Sequence, residues 1–124
     1  MDRDRLDLWL KAYGEAWQET DADAFTALFT PDVRYFWTPF QEPQKGRKEL
    51  AEAFREATST QQEICFGWRI LANDAELSIA HWSCSFTRKA SETQVRLDGI
   101  FLLRFKRDGL CSELREWWHS DEGA

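Results

Sequence analysis

Residues 95–119 read VRLDGIFLLRFKRDGLCSELREWWH. Val95, Leu97, Gly99, Phe101, Leu103 and Phe105 share one parity, while Arg96, Asp98 and Arg104 fall on the other. That period of two marks a strand with one buried face. Arg107-Asp108-Gly109 is a hairpin turn signal, and Leu110 to His119 returns as the last strand. Toward the N-terminus the alternation reaches back to about Gln61. Ile64, Phe66, Trp68 and Ile70 alternate in a strand that turns at Asn73-Asp74. The next strand starts with Leu77 and Ile79 on one parity and continues with Trp82, Cys84 and Phe86 on the other. A slip of one residue predicts a β-bulge near Ala80-His81, and Gly99 marks a further bulge or bend. The second half of the chain therefore reads as four long antiparallel strands.

Before Gln61 the period is helical. Leu6, Trp9, Leu10, Tyr13 and Trp17 place one aromatic face on a helix over residues 3–19. Thr20 or Asp21 caps a short second helix carrying Phe25, Leu28 and Phe29, which Thr30-Pro31-Asp32 ends. Val33 to Thr38 is a short strand stopped by Pro39; a loop with Pro43 and Gly46 follows. Leu50, Ala53, Phe54 and Ala57 mark a third helix. Helices followed by a curved antiparallel sheet define an α+β domain spanning residues 1–124, αα-β-α-ββββ, with the helices on the concave face. A strongly curved sheet wrapped around helices leaves a conical cavity.

Composition bounds the function. The chain has 124 residues, enough for a single core, and 15% of them are aromatic, including seven Trp. Its net charge of −6 argues against a nucleic-acid partner. No apolar run is long enough for a membrane span, and the charged N-terminus carries no signal-peptide pattern. Cys65, Cys84 and Cys111 are odd in number and sit in apolar strand-like runs, which favours buried free thiols and a reducing cytoplasm. The sequence has no metal-ligand spacing, phosphate loop or nucleophile elbow, so neither a metal nor a cofactor is expected.

The order of elements, with Tyr13-x3-Trp17, Asp23-x4-Leu28-Phe29-x2-Asp32-Val33, Pro39, Gly46, Leu103-Arg104-Phe105 and Asp108-Gly109, resembles the nuclear-transport-factor-2-like superfamily. Its SnoaL-like polyketide cyclases and ketosteroid isomerases are the most similar branch. The resemblance implies a cavity between sheet and helices, a homodimer formed through the outer sheet face, and activities that include isomerisation, aldol cyclisation, dehydration and epoxide hydrolysis. It also implies a Tyr on the first helix as oxyanion donor, which Tyr13 matches. The isomerase general base would fall on Trp37, give or take one residue, and its second acid on Phe101 rather than Asp98. With two of three catalytic positions lost, steroid isomerase chemistry is not expected.

Four side chains remain as candidates for chemistry. Glu116 shares a parity with Leu114 and Trp118; it either enters the cavity as an acid or base, or pairs with an Arg such as Arg69 or Arg115 at the sheet surface. His81 sits at the expected bulge, which either aims it into the site or leaves it structural. Asp98 is on the polar parity and reaches the cavity only if Gly99 shifts the register, in which case it and Glu116 could divide acid and base duties. Tyr13 faces inward with Trp9 and Trp17, as a hydrogen-bond donor or as packing. His119 and Trp117 take the outward parity. Trp17, Tyr35, Trp37, Phe54, Trp68, Trp82, Phe101 and Trp118 supply rings to line the cavity or to fill it.

The sequence thus points to a pocket for a small apolar or polycyclic molecule with one or two polar oxygens, in a cofactor-free proton-transfer enzyme of isomerase, cyclase or dehydratase type. The competing reading is a binding or dimeric interaction module without catalysis, and a third is an interaction domain whose core is filled.

Overall fold

Asp2 starts the first helix, α1 (Arg3–Gln18), by accepting the Arg5 backbone N–H at 2.9 Å. Asp21 caps α2 (Ala22–Thr26) in the same way through Ala24 N–H at 3.1 Å. In the computed structural model, which describes residues 1–123, these helices precede β1 (Phe29–Phe36), β2 (Gln44–Lys45), α3 (Gly46–Thr58), β3 (Gln61–Asn73), β4 (Ser78–Arg88), β5 (Gln94–Phe105) and β6 (Cys111–Glu122). The strands form one sheet in the order β2-β1-β6-β5-β4-β3.

The expected α+β architecture is present, with local corrections. Phe29 opens β1 instead of closing the second helix, and Thr30-Pro31-Asp32 is the irregular stretch across which the β1–β6 register slips. β1 ends at Phe36, and the loop after it contains the two-residue strand β2 paired to Arg34 and Tyr35. β1 runs parallel to β6, so the sheet is mixed. The β4–β5 ladder runs without interruption from Ser78↔Leu103 to Thr87↔Gln94, so no bulge falls at Ala80-His81 or Gly99. The breaks lie between β3 and β4 instead, between Gln62 and Cys65 and between Ile70 and Ala72. Ile79 is simply an apolar residue on the outer face.

Tyr13 and Trp17 of α1 pack against Phe66, Trp82 and Phe101, which fixes the concave face as the one carrying Phe66, Trp82, Phe101, Leu114 and Glu116. This close approach requires glycine at two points. A Cβ on Gly14 would stand 2.6 Å from the Phe66 ring, and one on Gly99 would stand 2.6 Å from the Trp117 carbonyl and 2.8 Å from the Trp82 ring. Gly99 thus serves as a site of tight contact between sheet and indole rather than as a bulge.

Cys84 and Cys111 are buried thiols as expected, whereas Cys65 is exposed on the outer face; all three are unpaired. Among the described residues no helix is long and apolar enough to cross a membrane.

Gly99→Ala is expected to destabilise the fold by about 2 kcal/mol, because neither the backbone carbonyl nor the packed indole can move aside cheaply. Chemical denaturation read by tryptophan fluorescence measures this, and an unchanged midpoint would contradict the packing described.

Candidate functional site

Between the helices and the concave face lies a cavity of about 380 Å³. Its inner wall is aromatic: Tyr13 and Trp17 from α1, Phe25 from α2, Phe54 from α3, Trp37 just beyond β1, Trp82 and Phe86 from β4 and Trp118 from β6. Val95 and Leu97 of β5 complete it, while Glu56, Thr60, Arg88, Ser120 and Glu122 form the rim. Arg88 spans the rim to Glu122 at 3.1 Å and to the Thr60 hydroxyl at 3.2 Å. Trp118 donates its indole N–H to the Trp37 carbonyl at 2.9 Å, tying β6 to the segment that follows β1. Among the described residues the indole N–H groups of Trp37 and Trp82 meet no hydrogen-bond partner.

Glu116 is the carboxyl of this wall and is only 5% exposed. Its Oε2 lies 2.9 Å from the Tyr35 hydroxyl, which lies 2.6 Å from the Tyr13 hydroxyl. Three elements, α1, β1 and β6, each contribute one member of this chain. Tyr13 and Glu116 line the cavity, and Tyr35, wholly buried, stands behind them. Loss of hydration on burial pushes the Glu116 carboxyl up from 4.5 to about 8, against the smaller opposing effect of the Tyr35 hydrogen bond. Both tyrosines are raised well above 10.0, first by burial and then by the Glu116 charge. At neutral pH the site holds a neutral carboxylic acid hydrogen-bonded to neutral phenols.

The sequence-derived candidates separate cleanly. Glu116 and Tyr13 come together at the cavity. His81 and Asp98 do not reach it: they pair with each other on the outer face, His81 Nε2 lying 3.0 Å from both Asp98 oxygens, because the unbroken β4–β5 register keeps both on the parity opposite Trp82. Of the expected ring lining, Trp17, Trp37, Phe54, Trp82 and Trp118 border the cavity. Tyr35 and Phe101 are buried behind the wall, and Trp68 lies beyond Phe66 with its indole N–H on Asp7 at 2.9 Å. Trp117 and His119 point outward as expected. The arginine pairing left open for Glu116 belongs to Glu113, which packs on the outer face among Arg34, Arg104 and Arg115.

Sequence reasoning missed Phe25, Phe86 and Leu97 as wall residues, although the last two share the inward parity of Trp82 and Phe101. It also missed the joining role of Tyr35, for which the sequence carries no local signal. Phe101, where the resemblance puts a second acid, lies directly opposite Glu116 in the β5–β6 register. The carboxyl of this wall stands on the neighbouring strand. Among the described residues no group of three His, Cys, Asp or Glu is placed to hold a metal ion.

A helix-filled α+β cone of this kind is the fold of the nuclear-transport-factor-2-like superfamily. Residues 10–114 match the SnoaL-like domain, and the chain belongs to that family. No curated protein matches the sequence. Among solved structures, the chain is similar to SalBIII, an epoxide hydrolase/cyclase-like enzyme in pyran ring formation in the polyether salinomycin, at 17% identity over 95% of this chain and 93% of that one, with a TM-score of 0.81. It is similar to Delta 5-3-ketosteroid isomerase from Mycobacterium sp. at 15% identity, covering 95% and 98%, TM-score 0.78. A computationally designed 17-OHP binder matches at 15% identity, covering 96% and 98%, TM-score 0.79. At these identities the likeness is one of fold.

The position of Glu116 predicts a pH-dependent stability. Below 4.5 the carboxyl is protonated in both folded and unfolded chains. Between 4.5 and about 8 the unfolded chain releases the proton while the folded one retains it, so stability falls across that window and then levels. The rise is worth about 5 kcal/mol. Glu116→Gln removes this contribution, so the difference in stability between variant and wild type is expected to move in the variant's favour by that order from pH 4.5 to 8. Denaturation midpoints that stay parallel across the window would show that Glu116 titrates normally.

Proposed function

We propose that this protein is a cofactor-free proton-transfer enzyme of isomerase or cyclase type, acting on a small, mostly apolar molecule that carries a carbonyl or ether oxygen. Glu116 is its acid/base and Tyr13 a hydrogen-bond donor to the oxygen of the substrate. The observation that carries this reading is the Glu116 carboxyl: buried among rings, facing a cavity, and pushed up to about 8, where an acid group can both give and take a proton near neutral pH. A carboxyl with no chemical task would be expected among arginines, as Glu113 is. The cavity volume of about 380 Å³ suits a molecule of two or three fused rings. The three unpaired thiols support a reducing location such as the cytoplasm.

The second reading, a binding module without catalysis, is supported by the lack of the isomerase carboxylates, whose positions fall on Trp37 and Phe101. The two are separated with 2-tetralone, a two-ring ketone whose α-hydrogens exchange with heavy water on enolisation. Wild-type protein is expected to accelerate that exchange, followed by NMR, and Glu116→Gln to lose at least about 100-fold of the acceleration. Binding seen by tryptophan quenching without exchange would favour the module.

The reading includes a homodimer through the outer sheet face. There Trp117 and Leu71, both 47% exposed, stand among Ile79, Ile100 and Leu102. Trp117→Arg is expected to yield monomers in analytical ultracentrifugation; a wild-type monomer at micromolar concentration would remove this part of the proposal.

A further inference from the structure

Among the described residues the inner wall of the cavity carries one carboxyl, yet a keto–enol interconversion needs a proton delivered at oxygen and another removed at carbon. The walls offer no second group for this. Around Glu116, α1 and β1 contribute Tyr13 and Tyr35, while α2 and β5 contribute only apolar side chains. Cys84 of β4 and Cys111 of β6 are thiols that burial holds neutral. The charges of α3, β4 and β6, Glu56, Arg88 and Glu122, stand at the rim.

The geometry supplies a different solution. Tyr13 and Glu116 both line the cavity, and the hydroxyl of Tyr35, which does not, lies 2.6 Å from one and 2.9 Å from the other. Among the described residues Glu116 is hydrogen-bonded through Oε2 alone. The cavity therefore has two proton ports connected behind its wall, and the connection excludes solvent because Tyr35 is fully buried.

Resting on the proposed proton-transfer function, we propose that Tyr35 is a proton relay, through which the single carboxyl of Glu116 serves as acid at the substrate oxygen, by way of Tyr13, and as base at the substrate carbon directly.

The steps balance. With Glu116 protonated, its O–H donates to Tyr35, Tyr35 donates to Tyr13, and the Tyr13 O–H is free to donate to a carbonyl oxygen in the cavity. Tyr13 passes its proton to that oxygen and takes the proton of Tyr35, which takes the proton of Glu116. No phenolate accumulates. The carboxylate so formed removes a proton from the carbon next to the carbonyl: the C–H electron pair becomes the new C=C bond, the C=O π pair becomes the O–H bond, and Glu116 is again protonated. Ketone enters and enol leaves, with the proton now on Oε1 and both tyrosine hydroxyls donating toward Glu116; rotation of the carboxyl and phenol protons restores the starting direction. With Glu116 ionised at the outset the chain points the other way: Tyr35 donates to the carboxylate, Tyr13 donates to Tyr35, and the carbonyl receives no donor. Tyr35 touches no substrate; it is a positioning residue that sets which way Tyr13 donates.

This direction gives a test that packing alone cannot mimic. With 2-tetralone in heavy water, and hydroxide-catalysed exchange subtracted, wild-type exchange is expected to be flat below the Glu116 titration and to fall about tenfold for each pH unit above it. Tyr35→Phe keeps the ring and both ports but removes the hydroxyl. It is expected to lose at least tenfold at pH 7 and to retain a residual rate that rises with pH, as a direct carboxylate base requires. Tyr13→Phe cuts the chain at its other end and is expected to behave likewise, which preserves the test if Tyr35→Phe does not fold. Wild-type rate and profile in both folded variants, or a wild-type rate that rises through the titration, would overturn the relay and leave Glu116 as a simple base. Absence of wild-type exchange, or full exchange by Glu116→Gln, would remove the proposed function and the relay with it.

Discussion

The hydrogen-bonded sequence Tyr13, Tyr35, Glu116 is the contact on which the interior depends. Each residue comes from a different element, and each is packed against aromatic rings. A buried hydroxyl or carboxyl left without its partner costs about 1–3 kcal/mol or more, so the three groups hold α1, β1 and β6 in one relative placement. The stacking of Phe66, Trp82 and Phe101 beneath α1 then follows from where Tyr13 must sit. Gly99 and Gly14 allow the approach that stacking requires.

Two glutamates three residues apart on β6 show how the pleat divides labour. Glu113 points outward and Glu116 inward, which odd spacing along a strand dictates. Glu113 is nearly as buried as Glu116, but Arg34, Arg104 and Arg115 surround it, and Arg115 in turn lies 3.8 Å from the Phe36 ring centroid. Its charge binds three strands, β1, β6 and β5, from the convex side. Glu116 meets phenols and indoles and gives up its charge. One strand thus carries a structural carboxylate and a neutral carboxylic acid, and the difference lies wholly in the neighbours that each face supplies.

The sequence made the last two strands legible as strands by their period of two, but which parity turned inward, and with it the place of Glu116, depends on how α1 packs on the sheet. Helix α1 was legible for the equivalent reason at period 3.6. What escaped were relations without a local pattern. The parallel pairing of β1 with β6 joins segments some eighty residues apart, and no spacing within either announces it. The hydroxyl contact of Tyr13 with Tyr35 is of the same kind. The bulge assigned to β4 came from reading Ile79 as inward, whereas a curved sheet also carries apolar residues outside. Placing His81 and Asp98 in the cavity depended on register shifts that the continuous β4–β5 ladder does not make.

A glutamine in place of Glu116 would fill the same volume and meet the Tyr35 hydroxyl with its amide as acceptor or as donor. It would do so without the stability that the carboxyl forfeits as pH rises toward 8. Packing and hydrogen bonding therefore give no reason for a carboxyl at this position. What an acid has and an amide lacks is a proton that can leave and return. The surroundings favour that property: burial holds the proton on at neutral pH, the proposed relay through Tyr35 and Tyr13 gives it a route, and Glu116 lines the cavity where a molecule would sit. Because a buried ionisable group is costly to keep and easy to replace, its placement where helix, sheet and cavity meet supports the proposed proton transfer.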